Sequence, residues 1–266
     1  MLAWLAWSCA VTAPAPIVAP AAATSADAAQ AQGLTRDLLA RERRLVGLQT
    51  DAVMRYQAAT GSLKARETIS VRRSGRLRVE VMSPFGPALV LAASGGQLGI
   101  YDPGQNVFYR GRADAATLAR FVRIPMDPGP AVRLLLGLMP QELAPDSIPS
   151  SVRRQDDLLV ADYRLASGGT EELGFSGGHL ALVRLSGVGR QAGYQVRYSD
   201  YLDIGGLQFP HHLQAEFAAA GARLDVRYER PIVNPALSDA LFVLAPGAGA
   251  REVNLDSAGA GMGSNG

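Results

Sequence analysis

The chain has 266 residues and a formal charge of only +2, with 48% apolar and 19% charged residues. That length holds one large all-β or α+β domain, or at most two small ones, with a sizeable core, and so weak a charge gives no field to gather nucleic acid or a strongly acidic substrate. Cys9 is the sole cysteine, which excludes an internal disulfide framework and any multi-thiolate metal site.

The first eight residues, MLAWLAWS, form a short apolar run with Ala6 and Ser8 just before Cys9, and an Ala/Pro-rich stretch follows. This order resembles a bacterial lipoprotein signal, which implies cleavage before Cys9 and acylation of that cysteine. An ordinary secretory leader with an incidental cysteine is the alternative. The run is too short to span a bilayer. Composition therefore divides the chain into a signal-like segment (1–9), a disordered Ala/Pro-rich linker (10–33), a folded body (34–255) and a disordered Gly/Ser-rich tail (256–266).

Within the body, Leu34, Leu38, Leu45, Leu48 and Ala52 recur at helical spacings, so the pattern predicts an amphipathic helix from Leu34 to about Ala58. From Leu63 the period changes to two. Leu63, Ala65, Ile69 and Val71 alternate with polar residues, Ser74 and Gly75 turn the chain, and Leu77, Val79 and Val81 continue on one face. The segments PALVLAAS, QLGIYD and NVFYRG, separated by Gly95–Gly96 and the turn DPGQN, extend this hairpin into a meander. Two helices then interrupt it. Asp114 is placed to cap DAATLARFV, and Asp127 and Pro128 open a second helix whose dense leucines run up to Pro140. This second helix is apolar nearly all round, so it must be buried, and the concave face of a curling sheet is where it can go. Strands resume after the loop QELAPDSIPSS, with LLVADYRL from Leu158, and run to about residue 230. The expected fold is mainly β within the α+β class: one unclosed antiparallel half-barrel of about ten or eleven strands, with helices covering or plugging its concave face.

Three stretches give this layout a family likeness. The segment RLRVEVMSPFGPALVLAASGGQLGIYDPGQNVFYRG, with Pro84, Phe85 and Gly86 after a strand, is similar to the receptor branch of the LolA/LolB superfamily of lipoprotein carriers. AVRLLLG from Ala131 resembles that family's cavity helix. YERPIVNPALSDALFVLAPGAGAREVNL, with Asn234, Pro235, Phe242, Pro246 and Gly247, is similar to its closing segment. The resemblance implies an apolar cavity for lipoprotein acyl chains or other lipids, lined by Leu77, Val79, Val81, Leu89, Leu91, Ile100, Phe108, Phe121, Leu134, Leu135 and Leu138. It also implies a membrane-inserting loop at Phe85, anchoring through acylated Cys9 at the outer membrane facing the periplasm, and service as a monomer receiving cargo from a periplasmic carrier protein. Two alternatives stay open: a structural envelope lipoprotein that uses the same fold to bind another protein, and a soluble periplasmic carrier.

Catalytic chemistry finds little footing. His179, His211 and His212 are the only histidines, and His211 and His212 are neighbours on one expected strand, so their side chains face opposite ways and cannot share a metal without a bulge. Asp156, Asp157 and Asp102 read as turn and loop charges. GVGRQAG from Gly187 resembles a phosphate loop but lacks its Lys-Ser/Thr ending, and Ser94 has no strand-turn-helix elbow. The expectation is a binding protein without enzymatic activity, cofactor or metal.

Overall fold

The computed structural model describes residues 21–22, 24–166, 168–187 and 193–258. After a two-residue strand β1 (Ala21–Ala22), helix α1 (Ser25–Arg44) begins at a capping box. The Asp27 N–H donates to the Thr24 hydroxyl at 3.1 Å, and the Thr24 N–H donates to the Asp27 carboxylate at 3.0 Å. Two orphan donors are thereby satisfied at the helix start. The chain then builds a meander from β2 (Gly47–Ala58), β3 (Gly61–Arg72), β4 (Arg76–Ser83), β5 (Gly86–Ser94), β6 (Gln97–Asp102) and β7 (Val107–Arg112). Helices α2 (Ala115–Val122) and α3 (Pro128–Leu135) follow. A second meander comprises β8 (Ser151–Gln155), β9 (Leu158–Arg164), β10 (Thr170–Ser176), β11 (His179–Ser186), β12 (Tyr194–Ile204), β13 (Leu207–Phe217) and β14 (Ala222–Tyr228). The chain ends in β15 (Ile232–Val233), β16 (Arg251–Asn254) and one helical turn, α4 (Leu255–Ala258).

All sixteen strands form one sheet, in the order β1-β8-β9-β10-β11-β12-β13-β14-β2-β3-β4-β5-β6-β7-β16, with β15 added beside β2. The two meanders join where β14 pairs with β2, and every pairing is antiparallel except β16 on β7. The order has two ends and does not close. This is the half-barrel expected from the sequence, with five more strands than the alternation showed. Four of these are short or edge strands: β1, β8, β15 and β16.

The fifth, β2, corrects the helix expected over Leu34 to about Ala58. The helix instead starts at Ser25, inside the stretch expected to be linker, and ends at Arg44. Gly47–Ala58 is a strand in unbroken register with β3. Leu48 and Ala52, four apart, suit both a helix face and a strand face; the full twelve-residue pairing with β3 decides between them. Helix α3 also ends earlier than Pro140. Gly137, at φ +68°, closes it with a Schellman motif in which the Leu138 N–H donates to the Arg133 carbonyl and the Gly137 N–H to the Leu134 carbonyl.

The C-terminal segment straps the convex face. Asn234 accepts from the Val46 and Gly47 N–H groups and donates to the Arg44 carbonyl, so it latches the strap beside β2. Phe242 is buried there beneath the Arg72 guanidinium, 5.6 Å from its ring centroid. The strap ends as β16 along β7, protecting an edge that would otherwise present unpaired backbone groups.

Candidate functional site

Strand register sorts the side chains into transverse rows on the concave face. One row runs Leu48, Val71, Leu77, Ala93, Leu98, and the next runs Thr50, Ile69, Val79, Leu91, Ile100, Tyr109. Beyond them lie Tyr228, Ala52, Glu67, Val81 and Leu89. The structure therefore brings Leu77, Val79, Val81, Leu89, Leu91 and Ile100 together on the inner wall, and Phe121 of α2 packs on it with its ring 5.7 Å from that of Tyr109. Phe108 does not join them. It pairs with Tyr101 and lies on the convex face, close to Gly99 and Leu244 of the strap.

Leu134, Leu135 and Leu138 do not line an open space either. They belong to the α3 segment, which fills the trough, and together with Leu136 they are wholly buried against the sheet. The carbonyls at the end of α3 would be orphaned in this apolar setting, but two sheet tyrosines receive them. The Tyr198 hydroxyl shares its one proton between the Leu138 carbonyl at 2.8 Å and the Leu134 carbonyl at 3.1 Å, and the Tyr228 hydroxyl donates to the Leu135 carbonyl at 3.0 Å. Burial raises both phenols far above their ordinary pKa, which keeps them neutral donors. Helix α1 clamps the same segment: Arg133 forms a buried two-pronged ion pair with Glu42, and its Nε donates to the Met139 carbonyl at 2.7 Å. At Gly137 a Cβ would stand 2.6 Å from Pro210 Cγ, so only glycine permits this approach to the sheet.

Open space lies at one rim. A third row, Tyr163, Glu171, Leu185, Tyr194, Phe217 and Ala222, runs across β9 to β14. Between its Leu185, Tyr194 and Phe217 and the α2–α3 connection with Pro125 and Met126, together with Pro130 of α3, lies a cavity of roughly 420 Å³. A second hollow of roughly 590 Å³ adjoins it through the same three side chains and reaches the surface past Gln57, Ala58 and Ala218.

The same rim carries Phe85. The turns β2–β3, β4–β5 and β13–β14 all fall at this end, because Gln57 pairs with Arg223 and Arg66 with Met82. Phe85 tips the β4–β5 turn fully exposed, and Leu63 and Met82 nearby are 43% and 39% exposed. The turn holds itself in shape: the Ser83 hydroxyl donates to the Gly86 carbonyl at 2.7 Å and accepts from the Phe85 N–H at 3.2 Å. A phenylalanine left wholly in water is the reverse of the usual preference for burial. Cys9 lies outside the described residues.

Two acids in the interior escaped the sequence reading. Glu67 stands in the apolar file of β3, between the pairs Ala52 and Val81, and burial pushes its carboxyl up to about 8. Glu171 is fully buried beside Tyr194, and burial pushes it up to about 8 as well. The signal was present in both strands, since a glutamate occupies a core-register position in ARETISV and in TEELGFS.

On the convex face, Ser199, His212 and Asp225 stand side by side on β12, β13 and β14. The Ser199 hydroxyl is 3.3 Å from His212 Nδ1, and His212 Nε2 is 2.9 Å from Asp225. The residue types match an acyl-transfer relay. They sit in mid-sheet register, where strand N–H groups serve the ladder and not an oxyanion, and neither Ser199 nor His212 lines the cavities described above. Their evident role is to brace three strands. Among the described residues no cluster of three His, Cys, Asp or Glu side chains is set to hold a metal, and no helix is long and apolar enough to cross a membrane.

No family model and no curated protein matches the sequence. Solved structures do match. A DUF1329 family protein from Desulfovibrio piger aligns at a TM-score of 0.55 and 12% identity, over 82% of this chain and 97% of that one. A LolA superfamily protein from Nitrosomonas europaea aligns at 0.54 and 14% identity, over 79% of this chain and 97% of that one. The chain has the half-barrel fold of these proteins, as its sequence pattern led one to expect.

Proposed function

We propose that this protein binds the acyl chains of lipoproteins or related lipids in its trough, and that it serves lipoprotein localisation at the outer membrane without catalysing a reaction. The observation that carries this reading is the shared rim: the apolar cavity and the fully exposed Phe85 lie at the same end of the sheet, so a bilayer touched by that turn meets the end at which the cavity opens. The cavity volume falls within the roughly 300–1,000 Å³ of small-molecule sites.

A whole acyl chain needs more room than the rim, and the α3 segment stands where it would lie. For the leucine side chains alone, exchange of one for the other is nearly balanced; the Tyr198, Tyr228 and Arg133 contacts add to what further acyl chains must offset. Undocking Leu134, Leu135, Leu136 and Leu138 costs about 2 kcal/mol each, and an acyl chain recovers about 0.8 kcal/mol per methylene, so about ten methylenes offset the four leucines. A carrier has to release what it takes up, and a balanced exchange allows both. Acylation of Cys9 would moor the trough to the membrane, with the open rim and Phe85 turned to the lipid and a periplasmic carrier delivering cargo to a monomer.

The complete burial of α3 also favours a second reading, in which the half-barrel is permanently filled and its surface binds another envelope protein. Loading separates the two. The full chain is mixed with a synthetic triacylated cysteine peptide in detergent, diluted, and passed through a sizing column. A stoichiometric complex is expected; recovery of peptide-free protein at every ratio would overturn the acyl-binding reading.

A further inference from the structure

We propose that the rim cavity recognises an uncharged hydrogen-bonding head, a hydroxyl–ester or an amide, through Glu171 and Tyr194, while the attached chain lies against Leu185, Phe217 and Met126. The proposal rests on the acyl-binding reading and names the kind of cargo that reading leaves open.

The cavity is mainly apolar, with Asp127, Gln141 and Tyr194 as the polar residues on its wall. Tyr194 and Leu185 line it, and Glu171 stands next to Leu185 in the same transverse row. Glu171 is fully buried, and both of its carboxyl oxygens lack a hydrogen-bond partner among the described residues; so does the Tyr194 hydroxyl, on a side chain only 5% exposed. The Gln141 N–H and the Tyr194 hydroxyl come near enough to influence the Glu171 charge, but neither completes a hydrogen bond of good geometry. Buried polar groups are normally paired, and leaving them unmet is costly. Unmet polar atoms just behind the Leu185 and Tyr194 wall of a mainly apolar cavity fit a ligand that brings the missing partners.

The surrounding charges decide what kind of ligand. Arg133, whose charge is felt at Glu171, is already held by both prongs of Glu42 and by the Met139 carbonyl, and Arg184 and Arg223 of the adjoining hollow are paired with Glu172 and Glu216, which leaves these cations engaged. An anionic head would also meet Asp127 on the cavity wall and Glu171 behind Leu185. A cationic head requires Glu171 to ionise in an apolar corner, where desolvating both partners cancels much of their attraction. Burial favours the protonated acid, which can donate from its O–H and accept at its carbonyl, while the phenol does the same. A hydroxyl beside an ester, or an amide, presents the matching donor and acceptor with no charge to desolvate.

The test uses three amphiphiles with one ten-carbon tail: 1-monodecanoylglycerol, decanoate and decylamine, each titrated calorimetrically into the full chain at pH 7. The neutral glyceride is expected to bind about tenfold or more tighter than either charged probe, the scale of one to two hydrogen bonds. Glu171→Gln, which keeps a neutral donor and acceptor, retains the preference; Glu171→Leu combined with Tyr194→Phe abolishes it. Equal binding of the three probes, preference for a charged one, or a preference that survives Glu171→Leu/Tyr194→Phe overturns this inference and leaves the acyl-binding reading intact. Failure of all three to bind removes the acyl-binding reading and this inference with it.

Discussion

Replacing Tyr198 and Tyr228 by phenylalanine removes two hydroxyls and keeps the aromatic packing. Three carbonyls at the end of the α3 segment, those of Leu134, Leu135 and Leu138, then lose a donor. The Leu134 carbonyl keeps the Gly137 N–H, so its loss is the smallest. At about 1–2 kcal/mol for each tyrosine, the double variant weakens docking of α3 by roughly 3 kcal/mol, with the two sites close enough that additivity is approximate. If α3 must leave for cargo to enter, the open fraction rises by about 100-fold, and apparent affinity follows it until the open form dominates. The assay is paired: thermal unfolding of the full chain, and its affinity for a long-chain acyl glyceride by calorimetry. The double variant is expected to melt lower and bind tighter, each single change lying between. A variant that melts lower but binds no better would show that α3 is permanent core, and the exchange argument would be wrong.

Glu67 gives a pH signature. Its folded carboxyl titrates at about 8 and its unfolded one near 4.5, so the folded state holds the extra proton between those values. Below about 4.5 both states are protonated and the group contributes no penalty; stability then falls as pH rises toward 8. Glu67→Gln should match the parent at pH 4.5 and exceed it at pH 9 by several kcal/mol, of order 5 at most, in urea unfolding. Glu42→Ala leaves Arg133 buried without its main partner, and a loss of about 3–5 kcal/mol in the same assay is expected; a loss under 1 kcal/mol would mean that solvent reaches the guanidinium. Phe85→Ala should leave loading of the triacylated peptide unchanged while lowering association with liposomes several-fold by flotation. Unchanged flotation would remove the turn from membrane contact.

What the sequence made legible follows from periodicity. The two meanders from Leu63 to Arg112 and from Leu158 to Tyr228 show clean period-two alternation between Gly-rich turns, and the structure has strands there. Asp114 caps α2 as its position suggested, its side chain accepting from the Thr117 N–H at 2.9 Å. Asp127 precedes α3 as expected, but its carboxylate accepts from the Ala115 N–H of α2 instead. Short strands were hidden because two to five residues carry too little pattern, and β16 was hidden because its partner β7 lies far away in sequence. Phe108 was misplaced by a single step of alternation: the strap makes the convex face apolar there as well, so burial alone does not say which face is inside. The plug was legible from the all-round apolarity of AVRLLLG, whereas the rim cavity was not, since its walls come from α2–α3 and from the strands β11, β12 and β13, which only the sheet register brings together.

The central claim is that the trough accepts acyl chains from outside the polypeptide. The most direct measurement is native mass spectrometry of the full chain released gently from the membranes in which it was made, compared with the same sample after organic extraction. A family of added masses in steps of methylene or two-carbon units, removed by extraction, is the outcome the exchange of α3 for lipid predicts. A single mass equal to the processed polypeptide, before and after extraction and in repeated preparations, would contradict it.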